Sequence, residues 1–237
     1  MTPRIGTAGW SIPKPLADRC PSGGTGLERY GAVFNAVEIN TSFYRSHRLD
    51  TYARWRDSVP AGFRFAVKTP RTITHYAKLK SCDALLAAFV AEAAVLGDKL
   101  GALLVQLPPS LAFDPAVAEA FFETFRRLFG GDIACEPRHA SWFGAEADTL
   151  LAAHRIARVA ADPARHLAAG EPGGWLGLAY WRLHGSPRIY YSPYDEAALR
   201  ALATGLRSGP AADVWCIFDN TASGAAAVDA LALQALL

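Results

Sequence analysis

Eight short apolar runs, each ending in polar residues, recur along the 237 residues of this chain. They cover 5–10, 36–40, 63–68, 102–107, 133–136, 156–162, 180–184 and 214–220. The steps between them leave room for one strand, one helix and two short loops, and for little else. Segments with apolar residues at three-to-four spacing follow seven of the eight runs, at 27–34, 51–58, 82–96, 115–129, 145–154, 195–206 and 222–236. Asp114 before Pro115 reads as an N-cap with proline at the first helical position. The stretch between Asp162 and Tyr180 holds Gly170, Pro172, Gly173 and Gly174, which predicts an irregular loop or a degenerate helix. Alternation of this kind implies parallel strands with right-handed crossovers. Eight such units predict an α/β fold with one domain over residues 1–237, a single closed (β/α)8 barrel. Gly23, Gly24 and Gly26 lie in a long loop after the first run without a GxGxxG pattern, which argues against a dinucleotide-binding fold.

Composition narrows the partners. Lys and Arg number 24 against 22 Asp and Glu, a net charge of +2, too even for an extended nucleic-acid or anionic-membrane surface. A 51% hydrophobic content excludes wholesale disorder. Cys20, Cys82, Cys135 and Cys216 are far apart, without CxxC or Cys–His spacing, and read as reduced thiols of a cytoplasmic protein. The first strand-like run begins too early to leave room for a signal peptide, and the most apolar stretch, 84–96, is broken by Glu92 and too short to span a bilayer.

Side chains alternate between the two faces of a strand. Val37, Ile39, Phe65, Val67, Leu103, Val105, Ile133 and Cys135 make one apolar set, predicted to meet the helices. The opposite parity ends in Glu38 and Asn40, Lys68, Gln106, Glu136, Asp162, Arg182 and His184, and Asn220. Two positions earlier stand Ala36, Ala66, Leu104, Ala134, Ala160, Tyr180 and Phe218. A dry layer beneath a ring of polar ends is the arrangement of a catalytic barrel mouth. One polar strand end alone is commonly a solvated residue or a helix cap; so many of one parity point to a ligand site.

The segments GTAGW (6–10), EINTSFYR (38–45), FRFAVK (63–68), LLVQLPPS (103–110), EPRHASWF (136–143), RLHG (182–185) and FDNTASGAA (218–226) resemble the domain-of-unknown-function 72 (YecE-like) family. They are co-linear with its motifs and span nearly the whole chain. The resemblance implies a TIM-barrel fold with its site at the strand ends, and implies no particular reaction. Two departures stand out: Pro137 occupies a position where the family usually carries an aromatic or aliphatic residue, and Asp219 stands where it commonly has Asn.

Among the strand ends Glu38, Glu136 and Asp162 face Lys68, Arg138 and Arg182, three charges against three. A divalent-metal site would show surplus carboxylate, and a bare phosphate site surplus Arg and Lys. The balance predicts an ion-paired network, with Glu38–Lys68 and Glu136–Arg182 as pairs, holding a polar or anionic organic ligand; a purely structural network would pair the same way. Glu38 and Glu136 are the carboxylates for acid/base work and His184 the proton shuttle. Lys68 is the fourth catalytic candidate, a Schiff-base amine if burial beside Arg182 lowers its pKa, unless an adjacent Glu holds it charged. Gly185, Asn220 and Thr221 follow strands seven and eight and with Arg182 would hold an oxyanion; helix capping explains the last two equally well. Trp10, Tyr44 and Trp142 offer faces for a sugar ring or nucleobase. With Gln106 and Arg138 they complete the predicted binding set. No metal ligand set and no cofactor is assigned. The expected activity is acid/base catalysis, as a hydrolase or a lyase/isomerase, on a small phosphorylated or sugar-like molecule. The alternatives are a phosphodiesterase or nuclease using a divalent metal held by Glu38, Glu136, Asp162, His184 or Asp219, and a non-catalytic ligand-binding module.

Overall fold

In the computed structural model, which describes residues 2–237, every one of the eight runs forms strand. They are β1 (Arg4–Thr7), β2 (Ala36–Ile39), β3 (Arg64–Lys68), β4 (Leu100–Gln106), β5 (Asp132–Glu136), the split pair β6 (Ile156–Arg158) and β7 (Ala160–Asp162), then, after a two-residue β8 (Gly173–Gly174), β9 (Leu178–Leu183) and β10 (Asp213–Phe218). The seven expected helices are α1 (Gly26–Gly31), α2 (Leu49–Asp57), α3 (Asp83–Ala94), α4 (Pro115–Leu128), α5 (Ala145–Ala153), α6 (Glu196–Ser208) and α7 (Ala225–Leu236). Asp114 caps α4 as predicted, accepting the Val117 N–H at 3.2 Å. No helix among the described residues is long and apolar enough to cross a membrane.

The strands pair in parallel, but their ladders form two sheets and neither closes on itself. One has the order β1-β10-β9-β7; the other runs β2-β3-β4-β5-β6-β8, with β8 antiparallel. Between β1 and β2 there is a single bridge, Ala8 to Glu38, with Gly9 N–H donating to Glu38 O at 2.9 Å. Side chains take over the other backbone groups there. Asn35 Oδ1 accepts from Ile5 N at 2.8 Å, and Tyr30 OH accepts from Thr7 N at 2.9 Å while donating to Ala36 O at 3.1 Å. A Cβ on Gly6 would lie 2.0 Å from Ala36 O, so this seam has no room for a methyl group. The second discontinuity is at Val159, where the sixth run changes partner: β6 pairs with β5, and β7 with β9. The expected loop between Asp162 and Tyr180 contains one 3-10 turn, Leu167–Gly170, and β8, which occupies the β6 edge.

Two apolar clusters lie on opposite faces of the strands. The larger packs Val37, Ile39, Phe65, Val67, Leu103, Val105, Ile133 and Cys135 against the helices, as the parity predicts. The other joins Ala36, Ala66, Ala102, Leu104, Ala134, Ala157, Val159, Tyr180, Trp215 and Ile217 from both sheets. Trp215 stacks on Tyr180 with ring centroids 5.8 Å apart, and reaches so close to β4 that a Cβ on Gly101 would sit 2.3 Å from its ring.

Two strands run one residue out of step with expectation. In β10 it is Trp215 and Ile217 that join the inner cluster, while Cys216 and Phe218 face the helices. In the sixth run Ala157 and Val159 are inner and Ile156 is outer. A one-residue slip reverses every side chain. Asp219 therefore replaces Asn220 at the inner strand end, and Ala161 replaces Asp162.

Candidate active site

Arg182, on β9, is fully buried and organises the strand ends. Its Nε and Nη2 donate to Glu38 Oε2 and Oε1 at 3.0 and 2.7 Å, a bidentate fork onto β2. Nη1 donates to Glu136 Oε2 on β5 at 2.6 Å, and Nη2 also reaches Asp219 Oδ2, just beyond β10, at 3.1 Å. From the layer below, Tyr180 OH donates to Glu38 Oε2 at 3.1 Å. A guanidinium suits this position because its planar donors match several carboxylates at once, and each dehydrated charge is met by an opposite one.

Glu136 accepts four hydrogen bonds. Gln106 Nε2 (3.0 Å) shares Oε2 with Arg182, while Arg138 Nε (3.1 Å) and His184 Nε2 (3.0 Å) approach Oε1. Burial would raise its pKa, but the charges of Arg182, His184 and Arg138 hold the carboxyl well below the usual range. His184 lies between carboxylates, with Nδ1 3.1 Å from Asp219 Oδ2. A carboxylate only accepts, so this placement favours the form of the ring that carries a proton on both nitrogens. Burial pulls its pKa down; Glu136 and the bonds to both carboxylates outweigh this and raise it above the ordinary value.

Lys68 ends β3 on the same face and is 5% exposed. The expected Glu38–Lys68 pair does not form, because Arg182 and Tyr180 already engage both Glu38 oxygens. The Lys68 ammonium lies 4.3 Å from the centroid of the Phe43 ring instead. Ser42 holds that ring's turn in place, its Oγ donating to Ile39 O and to Lys68 O at 2.8 and 2.6 Å. Burial, followed by the charge of Arg182, brings the Lys68 pKa from 10.5 down to about 8, against the pull of Glu38, Asp219 and Glu136.

Beside this network opens a cavity of about 260 Å³. Glu136, Arg138 and His184 form its polar wall, and Arg165, Phe143, Ala161, Pro163, Ile189 and Tyr190 enclose it. Tyr190 has a left-handed backbone (φ 71°), unusual for a bulky residue, and sets its ring edge-on to His184 at 5.9 Å.

The predicted catalytic residues Glu38, Lys68, Glu136 and His184 thus share one neighbourhood with Arg182, Gln106 and Arg138. Others do not join it. Trp142 is buried, edge-on to Phe113 at 4.9 Å, and its Nε1 donates to Leu111 O at 3.0 Å; it packs away from this network, beside a separate cavity lined with Leu111 and Phe113. Asn220 points away from the mouth, its Nδ2 donating to Ser192 O (2.9 Å) and Asp229 Oδ2 (2.7 Å). Asp162 accepts from Tyr194 OH at 2.7 Å, and that hydroxyl in turn accepts the Gly185 N–H at 2.9 Å, which makes both parts of a loop anchor. Thr221 lines a separate cavity with Thr7, Gly9 and Ser11. Trp10 packs edge-on to Trp55 at 5.1 Å. Tyr44 is 62% exposed beside Phe43. Asn40 has a buried Oδ1 without a hydrogen-bond partner among the described residues. Tyr180 and Arg165 were outside the predicted set, and Asp219 stood there only as a metal ligand of the alternative reading. Exchanging Asp162 for Asp219 leaves the charge balance unchanged. Both nitrogens of His184 and the facing oxygens of Glu136 and Asp219 are engaged within the network, and no group of three such side chains among the described residues is arranged to hold a metal ion.

Residues 4–237 match the family model described as "Protein of unknown function DUF72". Over 149 residues the chain is 36% identical to UPF0759 protein YecE of Escherichia coli K12; the match covers 62% of this chain and 53% of that protein, so the chain spans about half the length of the curated relatives it matches. A DUF72 family protein of known structure from Enterococcus faecalis V583 superposes with a TM-score of 0.83 at 23% identity, covering 100% of this chain and 95% of that one. The fold also resembles 3-keto-D-glucoside 4-epimerase from E. coli, with a TM-score of 0.59 at 12% identity and 99% of each chain covered. At these identities the structural likeness is one of fold alone.

Proposed function

This chain belongs to the DUF72 family, and from that premise we propose an enzyme that acts by acid/base chemistry on a small phosphorylated or sugar-like substrate bound over Glu136 and His184. The two sheets are read as halves of one (β/α)8 barrel, with the site at its C-terminal mouth. Four buried free cysteines fit a cytoplasmic setting.

The observation that carries this reading is His184 set between the Glu136 and Asp219 carboxylates at the wall of an open cavity. An imidazole held between two carboxylates acts first as a proton donor, so His184 is the general acid. Glu136 is a poor base, because four donors saturate it and its affinity for a proton is low. Its part is to hold His184 charged and aimed. Lys68, the group of the network with the weakest hold on its proton relative to its type, is the base. Arg138 and Arg165 supply positive charge for an anionic group on the substrate. The cavity volume is at the small end of ligand pockets, which run about 300–1,000 Å³, and suits one small metabolite. That a fold neighbour is a sugar epimerase fits a sugar-like substrate.

The test is a panel of free and phosphorylated sugars followed by NMR for product formation. Turnover is expected, and His184→Gln should lower it at least ~100-fold. A folded His184→Gln protein with the wild-type rate overturns the assignment. Ligands that raise Tm without being converted would favour the binding-module reading instead.

A further inference from the structure

We propose that Lys68 is an imine-forming lysine, whose amine condenses with the carbonyl group of a small hydroxy-aldehyde or hydroxy-ketone. This deepens the acid/base reading of the same mouth by giving Lys68 a covalent role in place of that of a free base, and relies on that reading only for where the rest of the substrate lies.

Lys68 is buried yet, among the described residues, its Nζ makes no hydrogen bond and no ion pair; Phe43 at 4.3 Å is its ring contact. The other buried lysine shows what an ordinary arrangement is: Lys99 Nζ donates to Pro60 O at 2.6 Å. Around Lys68 the nearby carboxylates have other partners. Glu38 from β2 is forked onto Arg182, Glu136 from β5 is saturated, and Asp219 beyond β10 bonds Arg182 and His184. Arg182 from β9 adds a fixed positive charge, and His75, in the turn after β3, is depressed chiefly by burial and then by the charges of Lys68, Arg138 and Arg71. Removing the proton from Lys68 relieves its repulsion by Arg182, and a dehydrated neutral amine is a nucleophile.

Asn40 supplies the independent observation. Ile39 is in register with Val67, and Asn40 follows the one as Lys68 follows the other at adjacent strand ends. Its Oδ1 is buried without a donor. A substrate hydroxyl next to the carbonyl would provide that donor, which selects a hydroxy-aldehyde or hydroxy-ketone over a simple carbonyl compound.

In the step proposed, the Nζ lone pair forms a bond to the carbonyl carbon as the C=O π bond opens, and the oxygen takes a proton to give a carbinolamine. The C–O bond then breaks and the oxygen leaves as water, carrying both protons lost by the amine. A C=N bond remains, and no oxidant or reductant is consumed.

Reductive trapping tests this. The chain is incubated with glyceraldehyde 3-phosphate, which keeps a free hydroxyl next to its carbonyl, and cyanoborohydride, and peptide mass mapping locates the adducts. At neutral pH the deprotonated fraction of Lys68 exceeds that of an ordinary lysine about three-hundredfold, and its lower basicity takes back roughly tenfold. Lys68 should therefore label about thirtyfold faster than Lys14, Lys78 and Lys80, half-maximally near pH 8. Lys68→Arg should abolish that adduct and leave the others. Labelling confined to the surface lysines, or equal at all five, overturns the imine. A panel substrate turned over with dependence on His184 but without Lys68 labelling would refute the imine alone. Lys68 labelling without such turnover would refute the acid/base reading alone.

Discussion

Arg182 and Glu38, 144 positions apart in the chain, meet through two parallel hydrogen bonds of 2.7 and 3.0 Å with neither side chain exposed to solvent. Truncating either partner leaves the other charge dehydrated and unmatched. Arg182→Ala should lower unfolding free energy by about 3–5 kcal/mol, measured by urea titration. A loss under 1 kcal/mol would show that the network is hydrated and loose.

His184 gives a pH dependence of definite sign. Its pKa is raised in the folded state, so the stability it contributes is fully present below its unfolded value, roughly 6.5, and is lost as pH rises through the folded one. Glu136 and Asp219, whose carboxyls are held low, act in the opposite direction at acid pH: their contribution is lost as pH falls through the depressed values. Heteronuclear NMR of the imidazole should find both nitrogens protonated at pH 7. In Asp219→Asn the ring should release its proton at lower pH.

Lys68 titrates the other way. With its pKa brought down to about 8, charging the amine costs the fold stability at neutral pH, and this cost disappears as pH rises toward the unfolded value. Between pH 7 and pH 9.5 wild type should gain about 2 kcal/mol relative to Lys68→Met. Parallel stability curves for the two proteins would mean the amine is not dehydrated.

Trp142→Phe separates packing from chemistry. It removes the indole bond to Leu111 O and should cost about 1 kcal/mol in chemical denaturation. Turnover and ligand-induced Tm shifts should be unchanged; a specific loss of either would return Trp142 to the site.

The strand-and-helix alternation was legible because each unit carries its own periodicity, and so were the inner ends of β2, β3, β5 and β9, where apolar and polar or small residues alternate, and that of β4, where Gln106 closes an apolar run. β10 is apolar from Val214 to Phe218, so nothing in its pattern says which face is inner, and Asn220 was chosen over Asp219. In the sixth run the misleading residue is Arg158, which points outward and bonds Asp148 of α5 at 2.8 Å. A charged residue on the helix side inverts the usual signal. The partner of Lys68 was illegible for a different reason: local charge balance cannot show that one guanidinium takes the carboxylate another cation was expected to hold. Arg165 lies in a segment without periodicity, and no pattern could have placed it.

That segment, between β7 and β8, is the one crossover that lacks a helix, and Pro163, Arg165 and Ala169 from it wall the cavity. The cavity is therefore walled in part by a stretch that contributes little to the main core. Insertions, deletions or exchanges there can reshape what is admitted while the charged hub keeps its geometry, so selectivity and proton chemistry are free to evolve separately.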